Sequence, residues 1–307
     1  MPEEALAINL RGAYSTNVTP NSNPNTIYML DVKLPKGLVG KNYVNASNKA
    51  STLALVDGYD YFVPAEFFFA STISYTREVP TDSLPTFSTI CLPFAPTKVT
   101  VDGEEVKWKT SEQDSLGVFR IMSIDSISAD STKLVYVNEM EAFKTYLIVT
   151  DSILAGATLE FSCEGGMVYP TTLQDYATVI DDNYSWKGTY CGTQPDSCYV
   201  VSDNQLVFHE TSIDVPAFRG WLTTSEEVQY QNIVLEIKSD EPIVPPLKVG
   251  DVNGDDAVDI ADVMLIVTIA LGDEVQEEFK SRADVNGDED VDVTDVMIVV
   301  QMILGSK

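Results

Sequence analysis

Between residues 65 and 235 apolar positions come in short runs that alternate with polar ones. Residues 73–77, 89–93, 98–101, 144–149, 158–162, 205–209 and 231–237 all read this way. A period of two puts one face of each run against a core and the other toward solvent, so these runs predict strands. Turn residues separate them, at Asp102-Gly103, at Glu164-Gly165-Gly166 and at Ser202-Asp203-Asn204. No long 3.6-residue period competes, and the expectation is an antiparallel β-sandwich-like domain over residues 65–238. Residues 1–64 form a strand-and-turn N-terminal segment, with a loop over 21–25 and a hairpin expected at Asp57-Gly58.

The pattern breaks at residues 239–247. Pro242, Pro245 and Pro246 stiffen that stretch into an extended linker and remove backbone donors. Beyond it, residues 263–271 and 296–304 are apolar on nearly all faces of a helix, which requires cover on more than one side. Each run follows a twelve-residue acidic block. Residues 251–262 and 284–295 align without a gap at an offset of 33, so the module 248–307 is an internal duplication.

Charge narrows the function classes. Acidic residues outnumber basic ones 47 to 19, for a net charge of −28 in 307 residues. Such a surface repels nucleic-acid phosphates and anionic lipid headgroups. The longest near-continuous apolar run, 263–271, is about half of a bilayer span, and Met1-Pro2-Glu3-Glu4 does not read as a signal peptide. Neither nucleic acid nor membrane insertion is expected. His209 is the only histidine, which removes most catalytic triads and His-rich zinc sites. Cys191 and Cys198 flank a turn-rich stretch and are candidates for a disulfide, or else two free thiols on a loop; Cys91 and Cys163 read as buried small hydrophobes.

The acidic blocks carry the chemistry. Oxygen donors at the first, third, fifth and twelfth places of a twelve-residue loop that enters a helix suit a hard cation of calcium's size. In the first loop these are Asp251, Asn253, Asp255 and Asp262, with the Ala257 carbonyl at the seventh place and Asp259 at the ninth, through water. In the second they are Asp284, Asn286, Asp288, Asp290, Asp292 and Asp295. Without a cation, five acidic groups in one loop and six in the other would repel each other. Two calcium ions are expected.

The paired loops, with their Gly-Asp-Val-Asn-Gly-Asp opening, Val258 and Val291 at the eighth place, terminal Asp and closing Leu-Gly, resemble a type I dockerin over residues 249–304. The resemblance implies a small α-helical module of two EF-hand-like loop-helix repeats, two bound calcium ions and a cohesin-like protein partner. Two features depart from the family pattern. The sixth place, where a sharp bend favours Gly, holds Asp256 and Glu289. The partner-facing positions are Ile260, Ala261 and Val267 in the first repeat and Val293, Thr294 and Val300 in the second, where a hydroxyl pair and a basic residue would be usual.

Short motifs across residues 20–225, among them 87–94, 141–148, 186–190 and 215–221, resemble a β module of secreted and surface proteins of Bacteroidetes. That resemblance transfers no catalytic residue. The reading is a non-catalytic, secreted or cell-surface protein, attached through its calcium-loaded module. The alternatives are a carbohydrate-binding β-sandwich, with Trp108, Trp186 and Trp221 as stacking faces, and an accessory part of a larger glycan-degrading enzyme.

Overall fold

The structure is a computed structural model. It describes residues 5–13, 17–31, 33–64, 66–81, 86–127, 132–150, 152–173, 177–181, 183–224, 232–235, 237, 251–253, 258–271, 279, 283–285 and 290–305. The chain divides into two compact units, Met1–Lys238 and Ser239–Lys307, and residues 1–64 belong to the first. The proline-rich stretch 239–247 lies outside the described residues.

The first unit is built from three sheets in chain order. The first contains β1 (Ala7–Asn9), β2 (Ile27–Met29) and β3 (Tyr43–Val44), all parallel. The second contains β4 (Lys49–Val56), β5 (Phe68–Glu78), β6 (Thr86–Cys91), β7 (Lys98–Val101), β8 (Glu104–Lys109), β9 (Gly117–Ile127), β10 (Thr132–Tyr136), β11 (Thr145–Thr150) and β12 (Thr158–Val168). Its strand order is β4-β5-β12-β7-β8-β9-β11-β6, with β10 paired to β9. The third contains β13 (Ala177–Val179), β14 (Tyr184–Thr189), β15 (Cys198–Ser202), β16 (Gln205–His209), β17 (Arg219–Thr224) and β18 (Ile233–Val234).

This mainly β architecture corrects the expected sandwich. The stacked parallel strands at its start give a β-solenoid-like topology, and β4 with β5 and β8 with β9 are also parallel pairs. Parallel neighbours need a crossover between them, which alternation along the sequence does not reveal. The hairpin expected at Asp57-Gly58 is one casualty, because β4 and β5 run in the same direction. Glu164-Gly165-Gly166 is another: Gly165 takes a φ of +70° inside β12, which continues through it. The other two turns close hairpins. Asp102 and Gly103 (φ 49° and 88°) join β7 to β8, and Asp203 and Asn204 (φ 48° and 61°) join β15 to β16, two positive φ values that match the twist of the flanking strands.

Both faces of β11 are covered. All six of its residues are buried: Tyr146 and Ile148 join the core with Ile90 and Ile121, whereas Leu147 and Val149 join Trp186, Tyr199 and Leu222. A strand enclosed on two sides reads as a continuous apolar run, as Thr145–Thr150 does. The third sheet approaches closely where Gly188 of β14 pairs with Gly220 of β17. A Cβ at Gly188 would lie 2.4 Å from Cys91 Sγ, and one at Gly220 would lie 2.6 Å from Thr145 Cγ2.

Two buried asparagines bind the parallel sheet to β4. Asn25 donates to the carbonyls of Val56 and Tyr59 (3.0 and 2.8 Å) and accepts from the Val56 N–H at 2.7 Å. Asn42 donates to the Ala54 carbonyl at 2.9 Å and accepts from its N–H at 2.8 Å. Side-chain amides thus satisfy backbone groups that a neighbouring strand would otherwise take.

The second unit carries α1 (Ile260–Ala270) and α2 (Val293–Gly305). Val263, Ile266 and Val299 form a small core with Val252 and Ala283. Among the described residues no helix is long and apolar enough to cross a membrane.

Candidate metal centre

The twelfth residue of each acidic loop anchors the site. Asp262 is fully buried; its Oδ1 accepts the N–H groups of Val252 (2.8 Å) and Asn253 (3.0 Å), and its Oδ2 accepts that of Asp259 (2.9 Å). Asp295, also fully buried, repeats this, with Oδ1 accepting from Val285 at 2.8 Å and Oδ2 from Asp292 at 2.9 Å. The carboxylate at the end of the loop therefore folds the start of the loop onto the helix entrance.

The ninth residue caps the helix. Asp259 Oδ1 accepts the Ala261 N–H at 2.7 Å, completing a capping box with Asp262, and Asp292 Oδ1 accepts the Thr294 N–H at 2.6 Å. Each cap satisfies a donor that the first helical turn leaves unpaired and places negative charge at the positive end of the helix dipole. Hydrogen bonds from the Thr294 side chain and N–H hold the Asp292 carboxyl below its ordinary value.

The donor set fits calcium. Asp251, Asp262 and Asp295 are buried carboxylates. Hard oxygen ligands of this kind call for a hard divalent cation. Asn253 and Asp284 are half-buried beside them, while Asp259, Asp290 and Asp292 reach the surface. The expected ligands Asp255, Ala257, Asn286 and Asp288, and the sixth-place Asp256 and Glu289, lie outside the described residues. Among the described residues, no group of three or more His, Cys, Asp or Glu is gathered to hold a metal.

The expected partner positions separate into two sets. Ile260 and Val293 are each 69% exposed at the helix starts, next to exposed Ala261 and Thr294. Val267 is half-buried, and Val300 packs against the core of this unit. Sequence reasoning missed Met264 and Met297, 60% and 55% exposed one turn beyond Ile260 and Val293. Their i+4 spacing from those residues was the available signal. Each repeat thus shows an exposed strip at the same place, apolar in Ile260, Ala261 and Met264 and apolar but for the Thr294 hydroxyl in Val293, Thr294 and Met297.

Other sites expected in the first unit come out differently. The Cys191–Cys198 disulfide is absent, and all four cysteines are free thiols. Cys198 is buried in β15 between His209 and Thr223, while Cys191 Sγ donates to the Tyr61 carbonyl at 3.4 Å. Thr193 bridges to Val215, and the Ile213 N–H bonds the Pro195 carbonyl, so the intervening stretch pairs outward rather than folding back on itself. Burial pushes the Cys198 thiol up to about 11. Trp186 is buried, Trp108 donates to the Val137 carbonyl at 2.7 Å from a half-buried position, and Trp221 is half-buried. His209 lies in β16 opposite Cys198.

No curated protein and no solved structure matches the chain, so the likeness of the first unit to Bacteroidetes surface modules rests on its short motifs alone. The family description "dockerin type I domain" matches residues 249–304, the span of the two loops and their helices. Residues 249–304 are therefore a type I dockerin segment, of a class that binds calcium and attaches extracellular or cell-surface proteins to cohesin domains.

Proposed function

We propose that this chain is a non-catalytic, secreted or cell-surface protein whose segment 249–304, carrying two calcium ions, attaches the β unit to a cohesin-like partner. The observation that supports it is the duplicated carboxylate anchor. Asp262 and Asp295 are buried, and each fixes the loop that leads into its repeat's helix and its exposed strip. Calcium would neutralise the loops, and the loops would set the direction of both helices. The strips are apolar at Ile260, Ala261 and Val293 where a hydroxyl pair would be usual, with Thr294 the one hydroxyl kept, so the partner surface is mainly apolar as well.

The test is capture from secreted and surface proteins by the full chain, with calcium present and with excess chelator. A calcium-dependent partner lost in the Asp262→Ala, Asp295→Ala double variant supports the reading. Capture that ignores both chelator and the double variant overturns it.

A further inference from the structure

One face of the second sheet carries a polar trough of about 960 Å³ across β5, β12, β7 and β8. Strand pairing sets its rows: Glu160, Thr100 and Glu105 stand side by side, and Ser162 stands beside Lys98 in the next row. Alternation sends Val99 into the core and Thr100 into the trough. Thr100 is only 8% exposed, yet its hydroxyl has no hydrogen-bond partner among the described residues, so the floor holds an unused donor and acceptor. Four carboxylates line the trough, Asp102, Glu105, Glu160 and Glu164, against the one ammonium of Lys98. Lys98 Nζ lies 2.9 Å from Glu105 Oε2, and Asp102 Oδ1 accepts the Thr158 N–H at 2.9 Å. Glu160 and Glu164 form no ion pair among the described residues, and the Lys98 charge reaches them only at longer range. They lie four residues apart on β12, a span of about 13 Å. Among the described residues no aromatic side chain lines the trough, which leaves a sugar ring no face to stack on.

We propose that this trough docks an extended, lysine-bearing segment of a partner protein. One guest ammonium stands at Glu160 and donates to the Thr100 hydroxyl on the floor. A second, four residues along the guest, stands at Glu164. Four residues of an extended guest cover the same length as four residues of β12, so the charges stay in register. Carboxylates without a cationic partner at both places select a cationic guest, and the net charge of −28 disfavours a second copy of this chain. Between them the Ser162 hydroxyl, with Thr72 and Thr158 to either side, offers hydrogen bonds to the guest backbone. Four strands make the trough about 14 Å wide, room for a strand with its side chains and more than a free polyamine fills. The site belongs to the β unit and is separate from the calcium loops.

The experiment measures fluorescence anisotropy of fluorescein-labelled peptides on the full chain with calcium present. The heptapeptide Ser-Lys-Thr-Ser-Thr-Lys-Ser, with lysines four apart, is expected to bind saturably, and the same peptide with Gln for both lysines should bind at least about tenfold more weakly. Glu160→Gln combined with Glu164→Gln should weaken the lysine peptide about tenfold, as the loss of two exposed charge pairs would. Thr100→Val, close in shape, should weaken it about threefold, as the loss of one hydrogen bond would. Glu139→Gln combined with Glu210→Gln removes two exposed carboxylates outside the trough and should change binding by less than about twofold. Thermal melting confirms that all three variants fold. Absence of saturable binding, equal binding of the Gln peptide, indifference to either trough variant, or an equal loss in the variant outside the trough overturns the proposal. Displacement of the peptide by equimolar spermidine would make a free polyamine the occupant, and displacement by cellohexaose a glycan, and either result overturns the peptide reading.

Discussion

Arg219 Nη2 donates to Asp57 Oδ2 at 2.6 Å, and this ion pair ties the start of β17 to the turn after β4. Asp57 Oδ1 also accepts the Tyr75 hydroxyl at 2.7 Å, and Arg219 Nη1 donates to the same hydroxyl at 3.2 Å. Buried Arg77 lies close enough for its charge to act on Asp57, while donating to the Thr89 carbonyl and the Ser88 hydroxyl. Burial pushes the Tyr75 hydroxyl up to about 12 and Arg77 down to about 10, so the first stays neutral and the second charged at neutral pH.

This cluster predicts an acid-sensitive β unit. Burial alone would raise the Asp57 carboxyl, but the Arg219 hydrogen bond and charge, with Arg77 and Tyr75, outweigh it and hold the group below its ordinary value. A carboxyl depressed in the folded state contributes stability above its unfolded pKa of about 4, and that contribution is lost as pH falls through the folded value. Asp57→Asn should cost about 2 kcal/mol at neutral pH, a figure reduced for partial solvent access, and should flatten the stability profile below about pH 4. Denaturant melts at neutral and acid pH measure both effects. A variant as stable and as acid-sensitive as the wild type would refute the assignment.

The contact between the second and third sheets predicts intolerance at Gly220. Its added Cβ would lie 2.6 Å from Thr145 Cγ2 of the second sheet and 2.7 Å from the Lys187 carbonyl oxygen of the adjacent strand β14, a backbone atom that cannot swing away. Gly220→Ala should destabilise the β unit by about 1–3 kcal/mol, the usual range for overpacking. Gly103→Ala, at an open turn where nothing lies within 4 Å, should cost only its positive-φ strain. Equal costs for the two would show that Gly220 is not crowded by Thr145 and Lys187.

In the second unit, titration calorimetry is expected to find two calcium ions for the wild type and one for each of Asp262→Ala and Asp295→Ala. Chelator should melt this unit and leave the β unit folded, because a small core with buried like charges is marginal without neutralisation. A single chelator-insensitive transition would contradict this.

The two helices predict a division between binding and stability. Met264→Asp and Met297→Asp, at exposed positions, should weaken partner capture and shift the melting of the unit little. Val300→Asp should mainly destabilise, since Val300 packs against the core and a buried unpaired carboxylate costs several kcal/mol. If Val300→Asp melts like the wild type, the helix faces are assigned wrongly.

The sequence by itself determined features that are local in the chain. The alignment of residues 251–262 with 284–295 marked two acidic loops that each enter a helix, because one loop-helix repeat closes on itself through contacts such as Asp262 to Val252. Two-residue turns at Asp102-Gly103 and Asp203-Asn204 were legible for the same reason: positive φ at both positions is a property of those residues. What only the tertiary structure decided depends on partners far apart in sequence. Alternation marks β4 and β5 as strands but does not distinguish parallel from antiparallel neighbours, so the third sheet, the parallel start and the loss of the Asp57-Gly58 hairpin were hidden. The helix pattern was apolar on nearly all faces, so periodicity could not separate exposed Met264 from packed Val300; which face is covered follows from how α1 meets α2. Cys191 and Cys198 lie close in sequence, yet β15 takes one into a sheet and the Tyr61 carbonyl holds the other, because long-range pairing outweighs the short turn between them.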